Sequence, residues 1–288
     1  MSEFTSFLPP PGAAVANYDR SLPSSEQARE VPHVFCDAMS VREEVFVEEQ
    51  GVPLSNEFDT DDPRSYHWVA YASVGTTDNA PSTEAENSER LRGSDSSQHG
   101  TVIENAKEQA RRKGSTAERV AIGCIRLVPP PHPPHPEPGA HMKIDNADGV
   151  PPDAEEGKHS TSFHDGKEPY IKLGRLAALK PYRGLGLSSL LINAALSFAA
   201  ANAQSILPPI SPTATEQLKL ELGAEVDAHN TWKGLVLVHA QVAVEKVWAR
   251  HGFVRDESMG VWDEEGIDHV GMWKRVEVSH ENRRSSVS

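Results

Sequence analysis

Cysteine is almost missing: only Cys36 and Cys124 occur in 288 residues, far apart and inside a predicted helix and a predicted strand. That excludes a disulfide scaffold and leaves two buried, reduced thiols as the expectation. Aromatic side chains make up 6% of the chain and all hydrophobic types 38%. Both are low for a fully compact fold of that length, so much of the chain reads as loop. No apolar run is long enough to cross a bilayer, and no basic-then-apolar stretch opens the sequence, which predicts a soluble, cytoplasmic protein without a membrane partner. Basic residues are also short, with 28 Lys and Arg against 42 Asp and Glu and a formal charge of −14. That sign argues against nucleic acid as a partner and suits a cationic acceptor, although it also serves simple solubility.

Proline, by contrast, is plentiful, at 22 residues. With Ser-rich charged tracts it concentrates in three segments that lack any sustained hydrophobic period. Residues 74–118 are polar, with scattered apolar positions. Residues 129–167 open with PPPHPPHPEPGAH, which can continue neither strand nor helix. Residues 204–233 hold TATEQLKLEL, a candidate short exposed helix. These read as long disordered insertions in a single domain over residues 31–278, flanked by disordered, solvated tails at 1–30 and 279–288. His132, His135 and His141 have no cysteine or ordered acid near them and read as a Pro/His tract, so no metal is expected.

With the insertions set aside, a helix over His33 to Gln50 stops at Gly51 and Pro53. Strands follow at His67–Ser73, Val120–Val128, Tyr170–Leu179 and Leu235–Ala240. A long helix begins at Leu187, with Leu187, Leu190, Leu191, Ala194 and Phe198 at helical spacing. A last helix carries Val244, Val247 and Trp248 on one face and ends at Gly252, a left-handed cap. The sum is an α/β protein with a mixed central sheet.

The stretch KPYRGLGLSSLLINAALSF, Lys180 to Phe198, is strand end, tight loop and helix start. Gly184 and Gly186 let the backbone approach a ligand, and the unpaired amides of the first helical turn favour an anion, so the loop is expected to hold phosphate. Leu187 and Ser188 rule out a Walker loop, which needs Lys then Ser or Thr there. A dinucleotide fingerprint lacks its third glycine and its acid roughly 20 residues on. A kinase glycine loop would lead into a strand, not a helix.

Arg183, Gly186 and Ser188 resemble the pyrophosphate loop of the GNAT superfamily, the GCN5-related acetyltransferases: Arg or Gln, two residues, Gly, one residue, Gly or Ala. Ser188 departs from it by being slightly larger. Two further blocks resemble a branch of small GNAT proteins that includes glucosamine-6-phosphate acetyltransferase-like members: VREEVFVEEQGVPLSNEFDTDDPRSYHWVAYAS from Val41, and HAQVAVEKVWARHGFVRDESMGVWDEEGIDHVGM from His239. The three fall in the family's order. The resemblance implies strands that splay after Leu179 and Ala240 to admit the pantetheine arm of acetyl-CoA. It also implies backbone groups of Leu176 and Ala178 on the pantetheine and acetyl carbonyl, and amides from Arg183 through Gly184, Leu185, Gly186, Leu187 and Ser188 to Ser189 on the pyrophosphate. Gln241 stands where the family often has Asn.

The implied function is acetyl transfer from acetyl-CoA to a primary amine of a small molecule, an amino sugar phosphate among the acceptors, in a ternary complex; a homodimer is left open. The alternative is a non-catalytic acetyl-CoA-binding or adaptor protein whose acceptor site has decayed. The feature favouring decay is Trp248, which stands where the family commonly has an acidic Tyr and whose indole cannot donate a proton near neutral pH. A thiol of pKa ~8.5 leaves tolerably without an acid, whereas a lysine-like amine of pKa about 10.4 must lose a proton, so a base matters more. His239, at a strand end, and Glu57, in the NEFDTDD loop, are the base candidates. Arg126 and Arg175 lie in predicted strands, where pairing with internal carboxylates is the favoured reading over contact with an anionic acceptor.

Overall fold

The computed structural model describes residues 4–75, 117–142, 160–207 and 232–278. The chain divides into two compact units, one of residues 1–70 with 121–288 and one of residues 71–120. Of the smaller, the described residues continue two strands and set the Arg119 guanidinium 4.3 Å from the Tyr71 ring. Most of the first predicted insertion and the final tail lie outside the described residues.

The described strands are β1 (Thr5–Leu8), β2 (Tyr66–Gly75), β3 (Ala117–Val128), β4 (His141–Met142), β5 (Ile171–Ala178), β6 (Leu235–Gln241), β7 (Val254–Arg255), β8 (Val261–Glu264) and β9 (Ile267–Arg275). They form one open mixed sheet in the order β1-β2-β3-β5-β6-β9-β8-β4, with β7 on β9. Helix α1 spans His33–Arg42 and runs into a π-helical turn, Glu43–Glu49, that ends at the positive-φ Gly51. Helix α2 spans Leu187–Ala201 and α3 Glu245–Arg250. Gly252, at φ +79, closes α3 as predicted.

Pairing, not propensity, shapes the centre. β5 and β6 run parallel with Ile171, Lys172 and Leu173 opposite Val236, Leu237 and Val238, and beyond that point they part. β5 goes on pairing with β3, while β6 goes on with β9 as far as Gln241 opposite His269. Where they part, β5 carries a bulge: Cys124 faces Ala177 and Arg126 faces Gly174, so Arg175 and Leu176 together oppose one residue of β3. Arg175 takes φ +50 there, an uncommon conformation for a side chain-bearing residue.

Tyr170, Leu235, Leu237 and Trp273 form one apolar cluster with Met259 and Trp262. The alternating residues Ile171, Leu173, Val236 and Val238 are buried on the other face. Helix α2 lies against β5, and a Cβ on Gly123 of β3 would stand 3.3 Å from Leu191 of α2 and 3.1 Å from the Ala177 carbonyl. The close approach therefore favours glycine at 123, since a Cβ there would press Leu191 and the Ala177 carbonyl back by a few tenths of an ångström.

Several expectations need correction. Residues 4–30 are not a solvated tail. β1 pairs antiparallel with β2, and Val15, Tyr18 and Val31 are buried against Phe35, Met39 and Phe58. The apolar spacing at Val15, Tyr18 and Val31 is too sparse to show a period, so the sequence hid it. The opening of the second insertion is irregular over residues 129–140, as predicted, and then forms β4, and it is packed: the His132 ring stacks on Tyr170 at 4.5 Å and Trp273 meets His135 edge-on at 5.6 Å. Residues 143–159 of that insertion lie outside the described residues, while at its end His164 is buried and stacks on Trp273 at 5.4 Å. Residues 208–231 of the third also lie outside, and its flanks Ile206 and Trp232 are buried. The buried face of α2 is also rotated from the predicted stripe. Leu191, Ile192, Ala195, Leu196 and Ala199 are buried while Leu190 is exposed, because the helix is apolar nearly all round and its spacing alone cannot choose a face. In α3 only Trp248 is buried; Val244 is exposed.

Candidate active site

A cleft of about 700 Å³ opens where β5 and β6 part, within the size range of small-ligand sites. One end is the glycine loop. Gly184 and Gly186 sit at φ +80 and +84, a Cβ on either would meet nothing within 4 Å, and Gly186 is the N-cap of α2 with no side-chain cap. The first amides of α2, at Leu187, Ser188 and Ser189, thus lack helical partners, and these residues line the cleft. Leu185 is exposed at the loop tip. Ser189 Oγ lies 3.1 Å from His251 Nε2. Arg183 donates Nε to the Ala178 carbonyl at 2.9 Å and Nη2 to Glu49 at 2.8 Å. Leu176, in the bulge, and Gln241, which exchanges amide hydrogen bonds with Gln50 (2.9 and 3.3 Å), also line the cleft.

The other end holds titratable groups. His239 Nδ1–H donates to Glu264 Oε1 at 2.9 Å, and the same oxygen accepts Trp262 Nε1–H at 2.7 Å. His239 Nε2 is buried with no partner. Burial and the nearby Lys172 ammonium hold the imidazole down to about 4 against the pull of Glu264, so it is neutral at pH 7 with a free lone pair. Burial alone would raise the Glu264 carboxyl, but His239, His269 and Trp262 outweigh it and hold it below the usual range. His239 thus has a carboxylate behind Nδ1 and a bare, buried Nε2.

Between these ends and α1 lies a buried network of three guanidinium and three carboxylate groups. Arg42 Nε meets Glu57 at 2.6 Å and its Nη1 meets Asp62 at 2.8 Å. Arg126 takes Asp59 and Asp62, both at 2.7 Å. Arg175 takes Glu57 at 3.1 Å and Asp59 at 2.9 Å. The charges cancel, which is the condition for burying them. Both strand arginines are thus internally paired, as expected. Glu57 lines the cleft, but its Oε1 already faces Arg42 and Arg175, an arrangement that suits positioning. Cys124 is buried with its thiol pushed up to about 12 by desolvation, too high for a nucleophile, and both cysteines are free.

The structure therefore brings the loop residues Arg183 to Ser189, the bulge residues, Gln241, Glu57 and His239 around one cleft. Trp248 also lines it, but as packing: the indole is buried and meets the Phe253 ring edge-on at 5.3 Å. Sequence reasoning missed Glu264, Lys172 and the wall made by Pro133, Pro134 and Pro136. Glu264 was visible only as one acid in the WDEEG hairpin turn. Among the described residues no three metal-ligand side chains converge, and no helix is long and apolar enough to cross a membrane.

No family profile and no curated protein matches the sequence. Among solved structures the chain is similar to an acyl-CoA N-acyltransferase from Pseudomonas aeruginosa, at 16% identity and TM-score 0.38 over 88% of this chain and 95% of that one. It is also similar to Escherichia coli ElaA, at 14% and 0.38 over 88% and 96%. A third is BjaI, a CoA-dependent acyl-homoserine lactone synthase, at 13% and 0.41 over 95% and 83%. With identities and TM-scores this low, function has to be read from the site itself.

Proposed function

We propose that the protein is a GNAT-type N-acyltransferase that moves an acetyl group from acetyl-CoA to a primary amine of a small molecule by direct attack in a ternary complex. The observation that carries this reading is the parting of parallel β5 and β6 into a cleft with an anion-ready glycine loop at one end and a carboxylate-backed histidine at the other. The two ends suit the two halves of the reaction.

In this reading the amides of Arg183 to Ser189 hold the pyrophosphate, displacing nothing but solvent from the open space before Gly184 and Gly186. The pantetheine arm lies in the parted strands against the backbone of Leu176 and Ala178, near Gln241. The amine lone pair attacks the thioester carbonyl carbon, the C=O pair moves onto oxygen, and the nitrogen proton, made acidic by C–N bond formation, passes to His239 Nε2. Collapse then breaks the C–S bond and releases CoA thiolate, which at a thiol pKa of ~8.5 needs little help. Nδ1–H to Glu264 orients the ring and stabilises the imidazolium as it forms. For Glu57 we propose positioning of Arg175, not proton transfer.

The test is release of CoA thiol from acetyl-CoA by purified protein across an amine library. Amine-dependent release that falls about 10²-fold or more in His239→Asn supports the reading. Acetyl-CoA binding with no release for any amine would point to the adaptor alternative.

A further inference from the structure

One cation in the cleft has no partner of its own. Arg42, Arg126 and Arg175 are all committed to Glu57, Asp59 and Asp62. Lys172 of β5 stands opposite Leu237 of β6, so its side chain is on the same face as His239, two residues along. Both line the cleft. The Lys172 ammonium makes no hydrogen bond or ion pair with any described residue. The two carboxylates that act on it from a distance are Asp61 and Glu264, and both are taken. Asp61 Oδ1 accepts Arg64 Nε at 2.9 Å and Nη2 at 2.7 Å. Glu264 Oε1 accepts His239 and Trp262. Beside the Lys172 cation the cleft presents the bare His239 Nε2 lone pair.

Resting on the acyltransferase reading of this cleft, we propose that the acceptor amine carries an anionic oxygen group, carboxylate or phosphate, which Lys172 binds while the amine faces His239. Strand geometry sets the spacing. Neighbouring strands ~4.8 Å apart and two residues of ~3.3 Å rise put the two Cα atoms at least about 8 Å apart, His239 lying one residue past the last paired position. An acceptor with amine and acid a few bonds apart, such as a small amino acid or an aminoalkyl phosphate, suits two side chains that rise from one face at that spacing. Pro133 and Pro136 also line the cleft. Burial lowers the affinity of Lys172 for its own proton, and a bound anion would restore it. The same anion would offset the charge that depresses His239, making the base stronger only when the right acceptor is present.

Matched acceptors decide it: glycine against glycinamide, and 2-aminoethyl phosphate against ethanolamine, each followed by thiol release. The anionic member should be preferred in kcat/KM by about tenfold or more, charge-assisted contacts being of that strength. Preference in one pair only identifies which oxygen acid the site takes. Lys172→Met should collapse the preference and Lys172→Arg should retain part of it. Equal use of charged and neutral acceptors by wild type, or an equal loss for both in Lys172→Met, overturns the proposal. A second arm does not need turnover: calorimetric binding of N-acetylglycine and N-acetylglycinamide to the CoA-loaded protein. An inert protein that still prefers N-acetylglycine through Lys172 would sink the catalytic reading and keep this one, while an active protein indifferent to charge would do the reverse.

Discussion

His239 has one nitrogen satisfied by Glu264 and one left bare. If His239 is the base proposed above, His239→Asn should lower kcat about 10²-fold with acetyl-CoA affinity little changed, and Glu264→Gln should cost less because it weakens orientation and leaves the imidazole in place. Steady-state kinetics with calorimetry checks both. The same burial predicts acid sensitivity. His67 and His239 are each held down to about 4, mainly by desolvation, and His132 well below its ordinary value. The unfolded chain, with histidines near 6.5, binds protons first as pH falls. Native stability is therefore full above about 6.5 and drains away toward 4, with roughly 3 kcal/mol at stake for a group shifted that far. Calorimetric melting between pH 7 and 4 should show the decline, and His132→Phe, which keeps the stack on Tyr170, should flatten it. Trp248→Tyr should lower the melting point through lost packing and leave turnover no higher. His239 was legible because a histidine closing an apolar strand stands out. Glu264 was not, since it reaches His239 only through the β8-β9 hairpin, a contact that no local period encodes.

Among the elements, the glycine loop carries the clearest local instruction. Gly184 and Gly186 were readable because positive φ before an apolar helix leaves few residue choices. Gly186→Ala should keep the fold, at a cost of about 1 kcal/mol for a side chain at φ +84. It should weaken acetyl-CoA binding about tenfold or more by placing a methyl where the pyrophosphate is proposed to lie. Unchanged calorimetric affinity in the folded variant would defeat that assignment. The bulge at Arg175 was not readable. Nothing in IKLGRLAA marks the residue that turns to φ +50; that is decided by Glu57 and Asp59, more than a hundred positions away in the chain, which grip its guanidinium.

At the scale of the molecule, strands and helices with dense apolar spacing were legible, while segments held by a few large contacts were mistaken for solvent-exposed chain. The N-terminal segment shows the difference. Deleting residues 1–20 removes β1 and the buried Val15 and Tyr18, burial worth about 1.5–3 kcal/mol for each apolar side chain. The truncated protein should melt well below the full chain, by several degrees at least, whereas a merely solvated tail would leave the melting point where it was. The Pro/His segment obeys the same logic: proline denied it regular structure, yet His132, with its ring on Tyr170 and Nε2–H donated 3.0 Å to the Tyr170 carbonyl, pins it to the sheet.

The parting of β5 from β6 has a consequence for motion. Past Leu173 and Val238 the two strands offer main-chain donors and acceptors to the gap between them instead of to each other. An amide-bearing ligand lying in that gap would behave as an additional short strand, tying the two halves of the sheet together. Amide deuterium uptake at Gly174 to Leu176 should then be fast in the free protein and slow sharply on loading with CoA, even at residues whose side chains never touch it.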